Sequence, residues 1–416
     1  MPKLYRGWTI VVALGAVTIV GYGTSQYLFG VLLPPVTQAL GGNRAQLSAA
    51  YSAGLVVAAI VGVPIGRLVD RVGARGILAA GGAIAAATLL LLARATSLLE
   101  LTLLWTFGVG LSMALTQYPV SFVVVANWFE RRRPAAMALL TTIGGLSSPI
   151  CIPLAGWLIA TVGWRAALGV LAVLAASTIL IAVLFVRRRP EDLGLRPDGA
   201  AQPAHQVAPS ARGGSTGETA RNAVRRPAFW LLTAGGVATM FAANALQVHQ
   251  VSFLITRGEA PLAAASIAGT IGLVSVPGRF LLNLAGQRVS PQRLLAAAMA
   301  TMAVAVSVLV VLGGTGAALA YAVLYGVGYG AVTPLRGTVM ALHFGRRSYG
   351  AITALQNLAV VGGSAAGPLA IGQLYDLQRT YRPAFVLLAA VLGFGVVATA
   401  LAPMPAQVTR GTRTRT

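Results

Sequence analysis

The sequence predicts an all-α membrane protein of twelve transmembrane helices, arranged as two related six-helix bundles. Three observations predict it. The chain is 56% hydrophobic and only 10% charged, against about 25% charged residues in soluble domains. It contains twelve apolar runs of spanning length, and the arginines between those runs alternate from side to side. So few charges cannot cover a water-facing surface, so lipid is the solvent the composition fits.

The runs fall at 8–33, 47–68, 77–93, 99–126, 135–160, 166–186, 228–254, 262–285, 294–312, 317–342, 349–374 and 384–402. Lipid offers the backbone no hydrogen-bond partner, so each run is expected to be helical. The first run is longer than the roughly 7–15 residues of a secretory apolar region and reads as a span. Placing both termini and the even-to-odd loops in the cytoplasm puts 23 of the 31 basic residues there and six on the other side. The remaining two, Arg279 and Arg336, fall inside spans. This bias follows the positive-inside rule. It predicts a multi-pass protein of a plasma membrane, the inner membrane in a bacterium, with both termini cytoplasmic. The net charge of +22 lies in short clusters between apolar runs. That pattern suits insertion topology and anionic lipid headgroups, not nucleic acid.

Residues 187–226 form the single long loop, rich in Pro, Gly, Ala and Arg, at the middle of the chain. The expected organisation is therefore a bundle over 1–186, a flexible cytoplasmic linker over 187–226, a second bundle over 227–402 and a cytoplasmic tail over 403–416. Three motifs recur in the same order in the two halves. Phe107-Gly-Val-Gly110 matches Tyr325-Gly-Val-Gly328, Trp128-Phe-Glu-Arg-Arg-Arg133 matches His343-Phe-Gly-Arg-Arg347, and Gly163-Trp-Arg-Ala-Ala167 matches Thr380-Tyr-Arg-Pro-Ala384. Parallel repeats of this kind imply a pseudo-two-fold axis along the membrane normal. The lone cysteine, Cys151, excludes an internal disulfide. No phosphate loop, metal-ligand spacing or nucleophile triad is present, so neither an enzyme nor a cofactor is expected.

The segment Gly66-Arg-Leu-Val-Asp70-Arg71-Val-Gly73-Ala-Arg75, between the second and third runs, resembles the loop signature of the major facilitator superfamily. A decayed copy without the acid occurs at Gly286-Gln-Arg-Val-Ser-Pro-Gln-Arg293. Within the superfamily the chain is most similar to the monocarboxylate transporters and the neighbouring oxalate/formate exchangers. The features are Arg6-Gly-Trp8, Asn127-Trp-Phe-Glu-Arg-Arg-Arg133, Arg189-Pro-Glu-Asp-Leu-Gly-Leu-Arg-Pro-Asp-Gly199, the pairs Gly362-Gly363 and Gly367-Pro368, and Tyr375-Asp376. The resemblance implies the major facilitator fold and alternating-access carriage of a small monocarboxylate such as lactate or pyruvate. It also implies a proton gradient as driving force and a monomer. It casts Gly66, Asp70, Arg71, Gly73 and Arg75 as a conformational latch at the cytoplasmic face.

Arg279 lies nine residues before Arg288 at the cytoplasmic end of the eighth run. That is about 13 Å into the membrane at 1.5 Å per residue, near the midplane. An arginine there costs about 2.5–3.5 kcal/mol even on the insertion scale, so it is expected to face protein or water. All nine acids (Asp70, Glu100, Glu130, Glu191, Asp192, Asp198, Glu218, Glu259 and Asp376) lie in loops or at span ends. The simplest counter-charge for the guanidinium fork is thus a substrate carboxylate, the role that the resemblance also implies. Ser275, Arg279 and Asn283 share one helix face. Animal monocarboxylate carriers have an aspartate at the Ser275 position and a lysine in span 1 that this chain lacks, so their proton relay does not carry over.

Further cavity candidates are Tyr22, Gln26 and Leu28 in span 1, Tyr118 in span 4, Asn244 in span 7, Tyr329 in span 10, and Gln356 and Asn357 in span 11. Gln356 stands where oxalate exchangers have a lysine, which favours a monocarboxylate over a dianion. His249 is the histidine placed within a span and is the candidate for proton coupling. A dianion antiporter, a hydrophobic drug exporter and a sensor without flux remain open alternatives.

Overall fold

The expected helices form, and several are interrupted where the sequence was read as continuous. The computed structural model describes residues 5–199, 218–285, 289–345 and 347–404, without the side chains of 199 and 280–285. Expectations for Lys3, most of the linker, 286–288 and the tail therefore lie outside the described residues.

In chain order the helices are α1 (Arg6–Gly23), α2 (Gln26–Leu40), α3 (Arg44–Val72), α4 (Ala74–Arg94), α5 (Leu98–Leu103), α6 (Gly110–Thr116), α7 (Tyr118–Trp128), α8 (Arg133–Gly145) and α9 (Ser147–Phe185). They continue with α10 (Ala220–Val224), α11 (Pro227–Thr256), α12 (Pro261–Ala285), α13 (Pro291–Val311), α14 (Gly314–Phe344), α15 (Tyr349–Gln378) and α16 (Arg382–Leu401). Among the described residues 11 continuous stretches are long and apolar enough to cross a membrane, one of them the 53 residues Arg133–Phe185. That stretch holds two of the expected spans. Gly163 turns it at φ 79°, ψ 160°, a backbone conformation that glycine alone adopts without steric cost. With it split there, the structure carries the twelve spans expected.

By proximity the chain divides into two compact units that do not follow the halves of the sequence. Unit 1 comprises Met1–Val207, Leu246–Leu273 and Pro368–Leu377, and unit 2 comprises Ala208–Ala245, Val274–Gly367 and Gln378–Thr416. Helices α11, α12 and α15 each contribute one end to unit 1.

Unit 1 has a core of Ile10, Leu14, Val17, Trp128, Phe129, Leu140 and Ala182, all essentially inaccessible. The first part of the expected linker is tied onto this core. Trp128 Nε1 donates to the Arg187 carbonyl at 3.1 Å, and Tyr5 Oη donates to Trp128 O (3.1 Å) and Arg196 O (3.0 Å). Asp198, in the left-handed region at φ 59°, receives the backbone N–H groups of Glu130, Arg131 and Arg132 at 3.1, 2.7 and 3.2 Å. Two of the motifs that carried the resemblance therefore meet: the carboxylate of one gathers three successive N–H groups in the turn just before α8. Asp198→Ala is expected to cost about 1–2 kcal/mol, the worth of hydrogen bonds to a charged group on the surface. A fall of a few degrees in the thermal midpoint would register it, and an unchanged midpoint would show the contact to be idle.

The loop signature sits at the α3–α4 turn, where Gly73 has φ 86°. The Asp70 side chain is exposed. The contact made there is through the backbone, with Arg188 Nη2 donating to the Asp70 carbonyl at 2.9 Å. Among the described residues no ion pair of the Asp70 carboxylate is seen.

In unit 2, α13, α14 and α16 pack together. Gln292 Nε2 donates to Thr399 O and Ala402 O at 2.9 and 2.7 Å, closing the end of α16. The last part of the expected linker is tied here, through a Glu218–Arg226 ion pair and Glu218 N donating to Phe344 O at 2.9 Å. The flexible linker of the sequence reading is thus anchored at each end.

Candidate functional site

The candidate residues divide between the two units. In unit 1 three spans break along their length. Span 1 breaks at Thr24–Ser25 (Ser25 φ −120°, ψ −89°), span 4 at Gln117 (φ −83°, ψ 177°) and span 5 at Leu146. The span 4 break has a local cause. Pro119 lacks an N–H and its ring crowds the carbonyl four residues back, so the helix does not run through it unbroken and it takes the first turn of α7. This was the signal in the sequence for the break.

The breaks lie close together. Ser147 Oγ donates to Ile19 O at 2.8 Å, and the Tyr22 and Tyr118 rings are 5.3 Å apart. Tyr118 stacks on Phe122 at 5.3 Å and donates to the Thr141 carbonyl at 3.4 Å. Tyr27, absent from the sequence candidates, extends the row at 6.2 Å from Tyr22. Tyr22, Gln26 and Tyr118 are half-buried, and they share this region. Leu28 does not: it is fully buried, beside Phe29, whose ring packs 4.6 Å from Trp105.

His249 lies in the part of α11 that belongs to unit 1 and is completely buried. Its Nε2 is 3.0 Å from the Pro368 carbonyl and 3.1 Å from Ser48 Oγ. A carbonyl only accepts, so Nε2 carries the proton. The Ser48 hydroxyl donates to Arg44 O at 2.7 Å. Beside it the Asp376 carboxylate accepts from the first two N–H groups of α3, Arg44 N at 2.9 Å and Ala45 N at 2.8 Å. His249 therefore sits in a packed contact between α3, α11 and α15.

In unit 2 the central feature is the crossing of α12 and α14. A Cβ at Gly330 would collide with the Ser275 carbonyl, and one at Gly278 would stand 2.8 Å from Val327 O. Glycine at these two places lets the backbones touch. The approach sets the Ser275–Arg279 stretch of α12, with Ser275 buried and Arg279 half-buried, alongside the part of α14 that carries Tyr325 and Tyr329, whose rings stack at 6.0 Å. The side chain of Asn283 lies outside the described residues.

The other unit 2 candidates separate. Asn244 donates to the Met240 carbonyl of its own helix at 3.1 Å. Gln356 is buried, its amide 3.5 Å from Met340 Sδ, so it packs between α14 and α15 and does not present itself to an open face. Asn357 is exposed and accepts from Arg336 Nη2 at 2.8 Å. No sequence periodicity signalled that pair.

Comparison with known proteins agrees with this architecture. The Major Facilitator Superfamily profile matches residues 15–368. Monocarboxylate transporter 13 of Rattus norvegicus is 29% identical over 399 residues, covering 94% of this chain and 88% of that protein. An MFS-type efflux pump of Mycolicibacterium smegmatis is 29% identical over 293 residues, covering 67% of this chain and 63% of the pump. Among solved structures, the nucleoside transporter NupG superposes with a TM-score of 0.74 at 12% identity, covering 94% of this chain and 99% of that one. A bacterial homologue of the human lysosomal transporter Spinster superposes with a TM-score of 0.71 at 17% identity, covering 96% of each. Twelve apolar helices, a carrier fold and a profile match over most of the chain have one reading in common: this multi-pass membrane protein belongs to the major facilitator superfamily and is a transporter, not an enzyme.

Proposed function

We propose that the chain is a proton-coupled, secondary active transporter of small monocarboxylates of the lactate and pyruvate kind, working by alternating access. The observation that carries this reading is Arg279, a guanidinium on α12 next to the close α12–α14 approach that Gly278 and Gly330 permit. A guanidinium offers a carboxylate two parallel N–H donors, and tyrosines donate a hydroxyl while packing a short apolar tail. The likeness to Monocarboxylate transporter 13 over nearly the full chain supports the same substrate class. Span 11 carries no lysine or arginine between Tyr349 and Gln378, which favours one carboxylate over two.

We assign the coupled proton to His249, whose ring bridges Ser48 and Pro368. The protein is placed in a plasma membrane with both termini cytoplasmic, as the arginine bias implies. Proteoliposome uptake of labelled lactate tests the coupling. An inwardly directed proton gradient should stimulate the wild type severalfold. His249→Gln, which keeps an N–H donor but does not titrate, should remove that stimulation and preserve lactate–lactate counterflow. Wild-type uptake that ignores the gradient would reject symport, and oxalate–formate counterflow without proton movement would favour antiport. A second reading, export of hydrophobic compounds, draws on the likeness to the mycobacterial efflux pump. It requires full activity after Arg279→Ala.

A further inference from the structure

The α14 arginine was left without a role by the sequence. We infer that Arg336 and Asn357 form a second carboxylate-binding position in unit 2, separate from Arg279. The inference rests on the monocarboxylate reading above and adds a stop along the path that reading requires.

The geometry is that of a donor cluster with its charge uncompensated. Arg336 Nη2 donates to Asn357 Oδ1 at 2.8 Å. This bond turns the guanidinium sideways toward α15, where a snorkelling arginine would run along its own helix to the membrane surface. An amide oxygen satisfies one of the five guanidinium N–H groups and neutralises none of the charge. No acidic side chain among the described residues pairs with Arg336. The contact also aligns a neighbouring donor, because Asn357 with its oxygen committed to Arg336 has its NH2 group directed elsewhere. Asn357 is exposed and Arg336 half-buried, so neither donor is sealed inside the unit. On α11, Gly236 leaves room: a Cβ there would already stand 3.5 Å from Arg336 Cδ. A planar fork beside an amide donor is chemistry that recognises a carboxylate.

Position along α14 decides between two uses. Tyr329, Thr333 and Arg336 follow at helical spacing on one face. Seven residues at 1.5 Å each set Arg336 about 10 Å along the helix from Tyr329, toward the Phe344 end. About two helical turns separate Arg336 from the Tyr329 level, which favours a position of its own over the second half of a dianion site. This is a staging position that a single carboxylate occupies before or after Arg279.

The test is equilibrium binding and uptake of labelled lactate with the purified full-length protein, wild type beside Asn357→Asp and Arg336→Lys. Asn357→Asp sets a carboxylate against Arg336 as a built-in competitor. Arg336→Lys keeps the charge and loses the fork, and thermal unfolding of each variant checks its fold. The wild type should bind two lactates per chain and each variant one, with KM raised about tenfold, the effect of one charge-assisted bond. Wild-type binding of a single lactate, or variants with unchanged stoichiometry and KM, overturns the inference and leaves the carrier reading standing. A wild type that neither binds nor carries lactate or pyruvate overturns both.

Discussion

Lactate uptake by the Arg279→Ala protein falls at least about thirtyfold in kcat/KM. Truncating one partner of a desolvated, hydrogen-bonded charge pair costs about 2–5 kcal/mol, and each 1.4 kcal/mol is a factor of ten. Arg279→Lys loses about tenfold, because lysine keeps the positive charge but not the planar fork that meets a carboxylate bidentately. The ordering wild type, lysine, alanine is the signature of carboxylate recognition, since a purely structural arginine would show its loss as a lower thermal midpoint at equal kcat/KM. Parallel uptake assays with the three proteins decide it. An alanine variant that still carries lactate at the wild-type rate ends the carboxylate reading.

The second large effect is conformational and lies in unit 1. Asp376→Asn raises the rate at which a maleimide labels Cys151 about thirtyfold. The Asp376 carboxylate receives two backbone N–H groups at the start of α3, and it sits where the helix dipole favours negative charge. The Arg44 guanidinium lies 5.6 Å over the neighbouring Tyr375 ring, on the same contact. An amide in place of the carboxylate loses the charge and turns one acceptor into a donor facing an N–H group. That costs about 2 kcal/mol by the worth of hydrogen bonds to charged groups, or about thirtyfold in an opening equilibrium. Cys151 reports it because it is the sole cysteine and is buried against α1, its Sγ 3.7 Å from Ile19 O. Labelling that does not change would mean that the end of α15 is held by packing alone.

The fold was largely legible in the sequence, and the contacts within it were legible only in part. Gly163 falls in the short gap between the runs 135–160 and 166–186, and it makes the turn because glycine accepts φ 79° without steric cost. Pro119 marked the break in span 4, yet the break in span 1 at Thr24–Ser25 has no proline, and nothing local announced it. Arg279 stood out because a charge at mid-bilayer is costly wherever the helix lies. Gln356 and Asn357 were equivalent as sequence candidates, and the turn of α15 separates them: one packs on Met340 and the other faces Arg336. Leu28 was read as cavity-lining for its neighbours, whereas apolar residues beside a polar row pack inward as often as they face it.

The sequence by itself determined what lipid imposes: helix over every apolar run, the number of spans, the alternation of arginines and the two arginines inside spans whose placement demands a reason. These follow from the cost of unsatisfied backbone and of charge in hydrocarbon, which each segment meets alone. Only the tertiary structure decided which carboxylate meets which turn or helix end. Asp198 meets the turn before α8 and Asp376 meets α3 across 66–68 and 331–332 residues of chain. It also decided that the Ser275–Arg279 stretch of α12 lies alongside the part of α14 that carries Tyr329. Such contacts depend on how close two backbones come, and that distance is set by glycines and packing partners on other helices.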